Sequence, residues 1–261
     1  MINLLLSLPL WLLAIVLNVW LMSFALVGLW VVRRLVLPNL RLSYEDAYFT
    51  AAVVQSAVLL YALIAALTAV GVWQRHQQVA DIVSAEATAI ANLWRDLGGY
   101  PEPLRDETRA VLRDYSGQVV HGAWPQQRRG QIPREGVEWM NRLQALLYAF
   151  EPGTESQKIL HAETLHAFNQ LVHERRQRLD SVRAALPSVM WWVLMPGAMG
   201  CVLLFMFFHG ADVRLHALLL LGLAGFLSMV LFVIIALDRP FSGDMGITAD
   251  SYQLVIDHYM K

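Results

Sequence analysis

Apolar residues run in four long blocks, at 4–32, 47–73, 187–208 and 215–237, each able to cross about 30 Å of hydrocarbon as a helix. The second block has no charged residue between Asp46 and Arg75. Beyond Arg75 the pattern turns from continuous to periodic: Val79, Val83, Ala87, Ile90, Leu93 and Leu97 recur at steps of three or four, and no proline interrupts them. One helix is therefore predicted over 47–97, leaving the bilayer without a break. At about 1.5 Å per residue it would reach roughly 75 Å.

Between the second and third blocks the chain shows no strand-like alternation. Pro103 suits the first turn of a helix running to about His121, with Leu104, Thr108, Val111, Leu112, Tyr115 and Val119 on one face. Trp124-Pro125 and the RRGQIPRE segment read as a loop. A further helix at 135–150 presents Trp139, Leu143, Leu146, Leu147 and Phe150, and another at 154–186 leads back to Pro187. The pattern predicts an all-α membrane protein: transmembrane helices 1 and 2 at 1–74, a helical-bundle insert at 75–186, transmembrane helices 3 and 4 at 187–237, and a C-terminal tail at 238–261 with a short amphipathic helix at 249–261. The first block lacks a basic leader and is closed by Arg33-Arg34, so it is expected to be a retained span rather than a cleaved signal.

Composition sharpens this reading. The 261 residues are 57% hydrophobic and 16% charged, with a mean hydropathy of +0.45, well above the range of a water-soluble domain. The net charge of -1 and the scattered arginines give no nucleic-acid footprint. The single cysteine, Cys201, excludes an intrachain disulfide and a cysteine-based metal framework. Glu163, His166, Gln170 and His173 share a helix face, but without an HExxH motif this reads as a solvated polar face rather than a metal site. No nucleophile–base pair or phosphate loop is present, so neither an enzyme nor a cofactor is expected.

The polar residues inside the blocks carry the functional question. Asn18 is expected to bond a neighbouring helix. In the second block Gln55, Ser56, Tyr61 and Thr68 either bond across helices or line a water-filled path, with Leu59 and Ala62 between them. Arg75, Arg175, Arg176, Arg178 and Arg183 flank the insert, where they would gather anions at a pore mouth, pair with lipid phosphates, or solvate helix ends. Pro196 and Gly197 mark a kink, either a hinge or a packing device.

Several short motifs resemble a bacterial four-span membrane protein family of unknown function called bestrophin-like. They include LPLWLL at 8–13, Arg33-Arg34 with Leu37-Pro38, Tyr44-Glu45-Asp46, Leu60-Tyr61-Ala62, Glu86-Ala87, Trp124-Pro125 and Arg175-Arg176-Gln177-Arg178-Leu179. The most specific is the tail motif Asp238-Arg239-Pro240-Phe241-Ser242-Gly243. The chain departs from the family pattern at 55–59 and around Gly122-Ala123. The resemblance implies kinship with bestrophins, oligomeric anion channels with four spans and a helical cytosolic part. On that footing the expected partners are the lipid bilayer, further copies of the chain in a symmetric homo-oligomer, and inorganic ions. The expected activity is passive conduction with anions, chloride among them, preferred. A sensor or assembly protein signalling through the insert explains the long helix equally well.

Arg33-Arg34 would hold the first loop in the cytoplasm, whereas the arginines bordering the insert would hold the insert there. The expectation adopted is a multi-pass protein of the bacterial inner membrane with a cytoplasmic insert.

Overall fold

The computed structural model describes residues 9–39, 44–207 and 212–261, and the side chains of these except at 39 and 44–47. The expected start of the first span at 4–8 and the side chains of Tyr44-Glu45-Asp46 therefore lie outside the described residues. Among the described residues the chain is helical, with no strand. In chain order the helices are α1 (Leu10–Val31), α2 (Tyr44–Leu97), α3 (Leu104–Gln118), α4 (Trp124–Arg128), α5 (Gly136–Tyr148), α6 (Glu155–Ser181), α7 (Ser188–Met206), α8 (Val213–Leu237) and α9 (Asp250–Tyr259). Among the described residues four segments are long and apolar enough to cross a membrane: Leu10–Val36, Tyr48–Leu97, Ser188–Met206 and Val213–Leu237. α2 is unbroken over 54 residues.

The chain divides into two compact units. A span unit comprises Met1–Gln74 and Ala185–Asp238, and an insert unit comprises Arg75–Ala184 and Arg239–Lys261. The tail thus belongs with the insert rather than standing apart as a segment of its own.

In the span unit α1 buries Leu13, Leu17, Leu21, Ala25 and Leu29, one residue per turn at strict four-residue steps. α8 answers with Leu220, Ala224, Leu227, Leu231 and Ile234. Such rows interdigitate as ridges and grooves, and in lipid this contact must hold the helices by packing alone. Asn18 turns back to its own helix, its Nδ2 donating to the Ala14 carbonyl at 3.0 Å, rather than bridging to a neighbour. Ser56 and Thr68 likewise donate to the carbonyls of Ala52 and Ile64, one turn back. The cross-helix bond of this group comes from Tyr61, whose hydroxyl donates to the Leu194 carbonyl of α7 at 3.0 Å. His216 is buried near the start of α8, where its Nε2–H donates to the Phe205 carbonyl at 3.1 Å, leaving Nδ1 to accept from Arg33 at 3.1 Å. One of the two arginines closing the first span is thus engaged inside its own unit.

In the insert unit every residue of the predicted stripe Val79, Val83, Ala87, Ile90, Leu93 and Leu97 is buried. These meet Leu112 and Tyr115 of α3, Leu143 and Leu147 of α5, and Phe168 and Leu171 of α6. Thr154 and Gln157 start α6 with a reciprocal capping box, each side chain accepting from the other's backbone N–H. α6 ends at Ser181, earlier than its polar-to-apolar pattern predicts. The expected loop at Trp124-Pro125 is instead helical: α3 continues through a wide turn at Val119–Ala123 into α4, where Pro125 occupies a first-turn position that needs no N–H.

Gly197 has a packing reason. A Cβ there would lie 2.6 Å from two carbons of the Tyr61 ring, whereas a Cβ at Gly200 would meet nothing within 4 Å. The Pro196-Gly197 pair lies within the unbroken α7, and the glycine lets the tyrosine ring lie against its backbone. Gly197→Ala is expected to displace Tyr61 and destabilise the span unit by about 1–3 kcal/mol. Gly200→Ala should be neutral or stabilising by up to about 1 kcal/mol through helix propensity. Thermal unfolding of both variants in the same detergent checks the contrast.

Candidate functional site

The six pore candidates on α2 divide between two faces. Tyr61 and Thr68 are buried on the face that also carries Val54, Ala65 and Val72, covered by the chain's own helices. Gln55, Ser56, Leu59 and Ala62 are exposed on the other side, in line with Ala66, Val70 and Trp73 one turn apart. Tyr61 and Thr68 are therefore withdrawn as pore-lining residues: one is spent on a helix contact, the other on its own helix. The most apolar stretch of this span is only 22% buried, the lowest share of the four. An exposed carboxamide such as Gln55 in hydrocarbon is costly, so this face calls for water or another protein surface.

The arginines separate in the same way. Arg75, Arg176 and Arg183 are exposed, and Arg175 is half-buried, its Nη2 set against Gly136. Arg178 is only 1% exposed and cannot serve as a solvent-facing anion collector. Its Nε donates to Glu86 Oε2 at 2.6 Å and its Nη2 to Glu86 Oε1 at 3.1 Å. Glu86 is itself fully buried and accepts a third bond, 2.7 Å from the Tyr115 hydroxyl. Tyr252 of α9 completes the cluster, with the Arg178 Cζ 5.9 Å from its ring centroid. Four helices thus converge on one buried carboxylate–guanidinium pair.

The sequence carried a signal for this pair. The buried seam of α2 runs Val79, Val83, Glu86, Ile90, Leu93, Leu97, so the steps of four and three place Glu86 in the seam itself, with Ala87 beside it. Arg178 falls seven residues after Leu171 on the buried face of α6. A charge at a seam position must find an opposite charge or stay uncompensated in a low dielectric. Burial alone would lower the Arg178 pKa, but the Glu86 carboxylate outweighs it and holds the guanidinium well above its ordinary value. Burial, reinforced by Glu86, raises the phenols of Tyr115 and Tyr252 well above theirs.

The tail motif is built as a structural turn. In the span unit Asp238 is buried, and its Oδ1 accepts from the Leu186 N–H at 2.7 Å. In the insert unit Phe241 is buried edge-on against Trp124, with ring centroids 5.5 Å apart. The Ile247 N–H closes the turn on the Pro240 carbonyl at 2.8 Å, while Trp124 Nε1 donates to the Ile247 carbonyl at 3.2 Å. Arg239 is half-buried and Gly243 takes a left-handed φ of 76°. Glu163, His166 and His173 gather no metal-capable cluster, since no group of three or more such side chains forms among the described residues.

A family model described as the Bestrophin-like domain matches residues 19–252. The chain belongs to the bestrophin-like family. Two solved structures share its fold. One, described as a membrane protein carrying a single substitution, aligns with a TM-score of 0.71 at 8% identity over 94% of this chain and 97% of its own. The other is a single-substitution variant of a bacterial bestrophin homolog from Klebsiella pneumoniae, with a TM-score of 0.66 at 10% identity over 94% and 98%. A search of curated proteins found no match. At these identities the likeness establishes the architecture: an all-helical bestrophin-like fold with four candidate membrane spans.

Two outcomes test the cluster. Glu86→Gln leaves Arg178 charged and buried without its counter-ion and should cost about 3–5 kcal/mol, against about 1–3 kcal/mol for Tyr115→Phe. Chemical denaturation of the purified protein, followed by circular dichroism, compares them. The phenols also set an alkaline limit. A group whose folded pKa is raised contributes stability that is fully present below its unfolded value and is lost as pH rises through that value toward the folded one. The unfolding midpoint should therefore be flat from about pH 7 to about pH 9 and fall above about pH 10, less steeply in Tyr115→Phe.

Proposed function

We propose that the chain is one subunit of a homo-oligomeric ion channel of the bacterial inner membrane, with the insert unit in the cytoplasm. The observation that carries this reading is the uncovered face of α2, where Gln55, Ser56, Leu59 and Ala62 are left exposed by the chain's own helices. Copies arranged around an axis would turn this face inward and enclose a path that one four-helix subunit cannot. Gln55 and Ser56 supply polar contacts, and the aliphatic turns between and beyond them form narrow constrictions. Conduction is passive. No carboxylate lies within the apolar blocks 4–32, 47–73, 187–208 and 215–237, which argues against proton coupling and against cation selection by acidic rings. Anions are the preferred cargo, with Arg176 and Arg183 as exposed positive charge and Arg75, also exposed, beside the end of the second apolar block. Family membership and the fold shared with a bestrophin homolog support the same reading.

The unbroken course of α2 from Tyr44 to Leu97 favours a second reading, a membrane sensor whose insert signals along the helix. Purified protein in liposomes under separate chloride and potassium gradients distinguishes them. The channel reading expects a reversal potential that follows chloride, with conductance changed at least about twofold by Gln55→Ala. Tyr61→Phe should lower stability while leaving ion preference intact, because its hydroxyl is spent on Leu194. Silence in both gradients from a folded oligomer would replace the channel with the sensor. For orientation, Gln131→Cys should resist an impermeant thiol reagent applied to intact spheroplasts and react once they are permeabilised.

A further inference from the structure

On the insert unit a cleft of about 560 Å³ opens between the distal half of α2 and α9. Its size falls within the range of small-molecule sites, roughly 300–1,000 Å³. Ser84, Thr88, Ala91 and Arg95 form the α2 wall at turn spacing, and Ser251, Val255 and Tyr259 form the α9 wall in the same manner. Small side chains on α2 leave the groove open. Arg109 of α3 reaches into the lining.

The charge of the cleft is one-sided. Arg95 and Arg109 line it and no carboxylate does, although basic and acidic residues in the insert number 14 each. Neither arginine forms an ion pair among the described residues. Asp96, the acidic group that senses Arg95, lies outside the lining. Arg109 is held in place: its Cζ sits 4.8 Å from the Trp94 ring centroid, and its Nη2 donates to the Trp94 carbonyl at 3.3 Å. The absence of a side chain at Gly98 makes room, since a Cβ there would stand 2.4 Å from that nitrogen. Arg95 donates only to the neutral Asn92 Oδ1, at 3.3 Å. Opposite the cations, Leu254 and Tyr259 are 56% and 57% exposed and present an apolar wall to the same space.

We infer that this cleft binds an organic anion: a carboxylate or sulfonate head held by Arg109 and Arg95, with a flat or apolar body against Leu254 and Tyr259. Guanidinium groups without a carboxylate partner suit such a head, and the hydroxyls of Thr88 and Ser251 add polar contacts. The inference does not depend on conduction, because its test reads occupancy and not flux.

Ser251→Cys in the full-length protein, in phosphatidylcholine nanodiscs, places a thiol in the cleft. Cys201 is buried and serves as the silent background. Relative to a free thiol, an anionic methanethiosulfonate reagent should label it roughly tenfold faster than a cationic one, as expected for a cleft lined by one sign of charge. Arg95→Gln, an exposed substitution that leaves the core intact, should remove most of that bias; Arg109→Lys should keep part of it. Naphthalene-2-sulfonate should slow labelling in a saturable manner and the uncharged naphthalene-2-sulfonamide should not. Equal labelling by both reagents, no protection, or equal protection by the sulfonamide would overturn the assignment. So would a thiol that is unreactive in the oligomer and reactive after dissociation, which would make the cleft a subunit contact.

Discussion

The insert unit depends on one ion pair. Glu86 and Arg178 are both removed from water, and desolvating either one alone would cost several kcal/mol. Their bonds at 2.6 and 3.1 Å, with the Tyr115 hydroxyl as a third donor, offset that cost only in one arrangement of α2, α3 and α6. A buried pair of this kind adds little net stability over a well-packed apolar core. Its effect is on register: a one-turn slip of α6 against α2 would leave both charges unpaired in the core. Tyr252 brings α9 to the same point, which is why the tail belongs to this unit.

In the span unit shape sets the order of the described helices. The four-residue row of α1 and the four-and-three row of α8 mesh, and Tyr61 lies in the space that Gly197 leaves on α7. These contacts use one face of α2 and leave the other bare. A helix that carries Gln55 and Ser56 on its bare face is incomplete as an isolated subunit in lipid, which ties the proposed pathway to assembly rather than to the single chain.

The two kinds of arginine show how burial assigns roles to residues that read alike. Arg175, Arg176, Arg178 and Arg183 form one basic run in the sequence. In the helix, Arg178 points to the core and is neutralised by Glu86, while Arg176 and Arg183 stay on the exposed side. Arg109 is a third case: it is held by an aromatic ring and a backbone carbonyl without a counter-ion, so its positive charge remains available in a cleft.

The sequence alone determined the spans, the unbroken α2 and the apolar stripes of the insert, because hydrophobic periodicity is a local property that survives without knowledge of neighbours. The stripe read through Ala87 passed over Glu86 beside it, and nothing local names the partner 92 residues away. What only the tertiary structure decided is which face of each helix is covered. That choice moved Tyr61 and Thr68 from the candidate pathway to the helix contact and its own helix, and Arg178 from the pore mouth to the core. It also gave Gly197 the packing role of the two left open for it, as a seat for a ring, and joined the tail to the insert. In a span where nearly every residue is apolar, all faces look alike to a periodicity reading, and the rows on neighbouring helices select which one is buried.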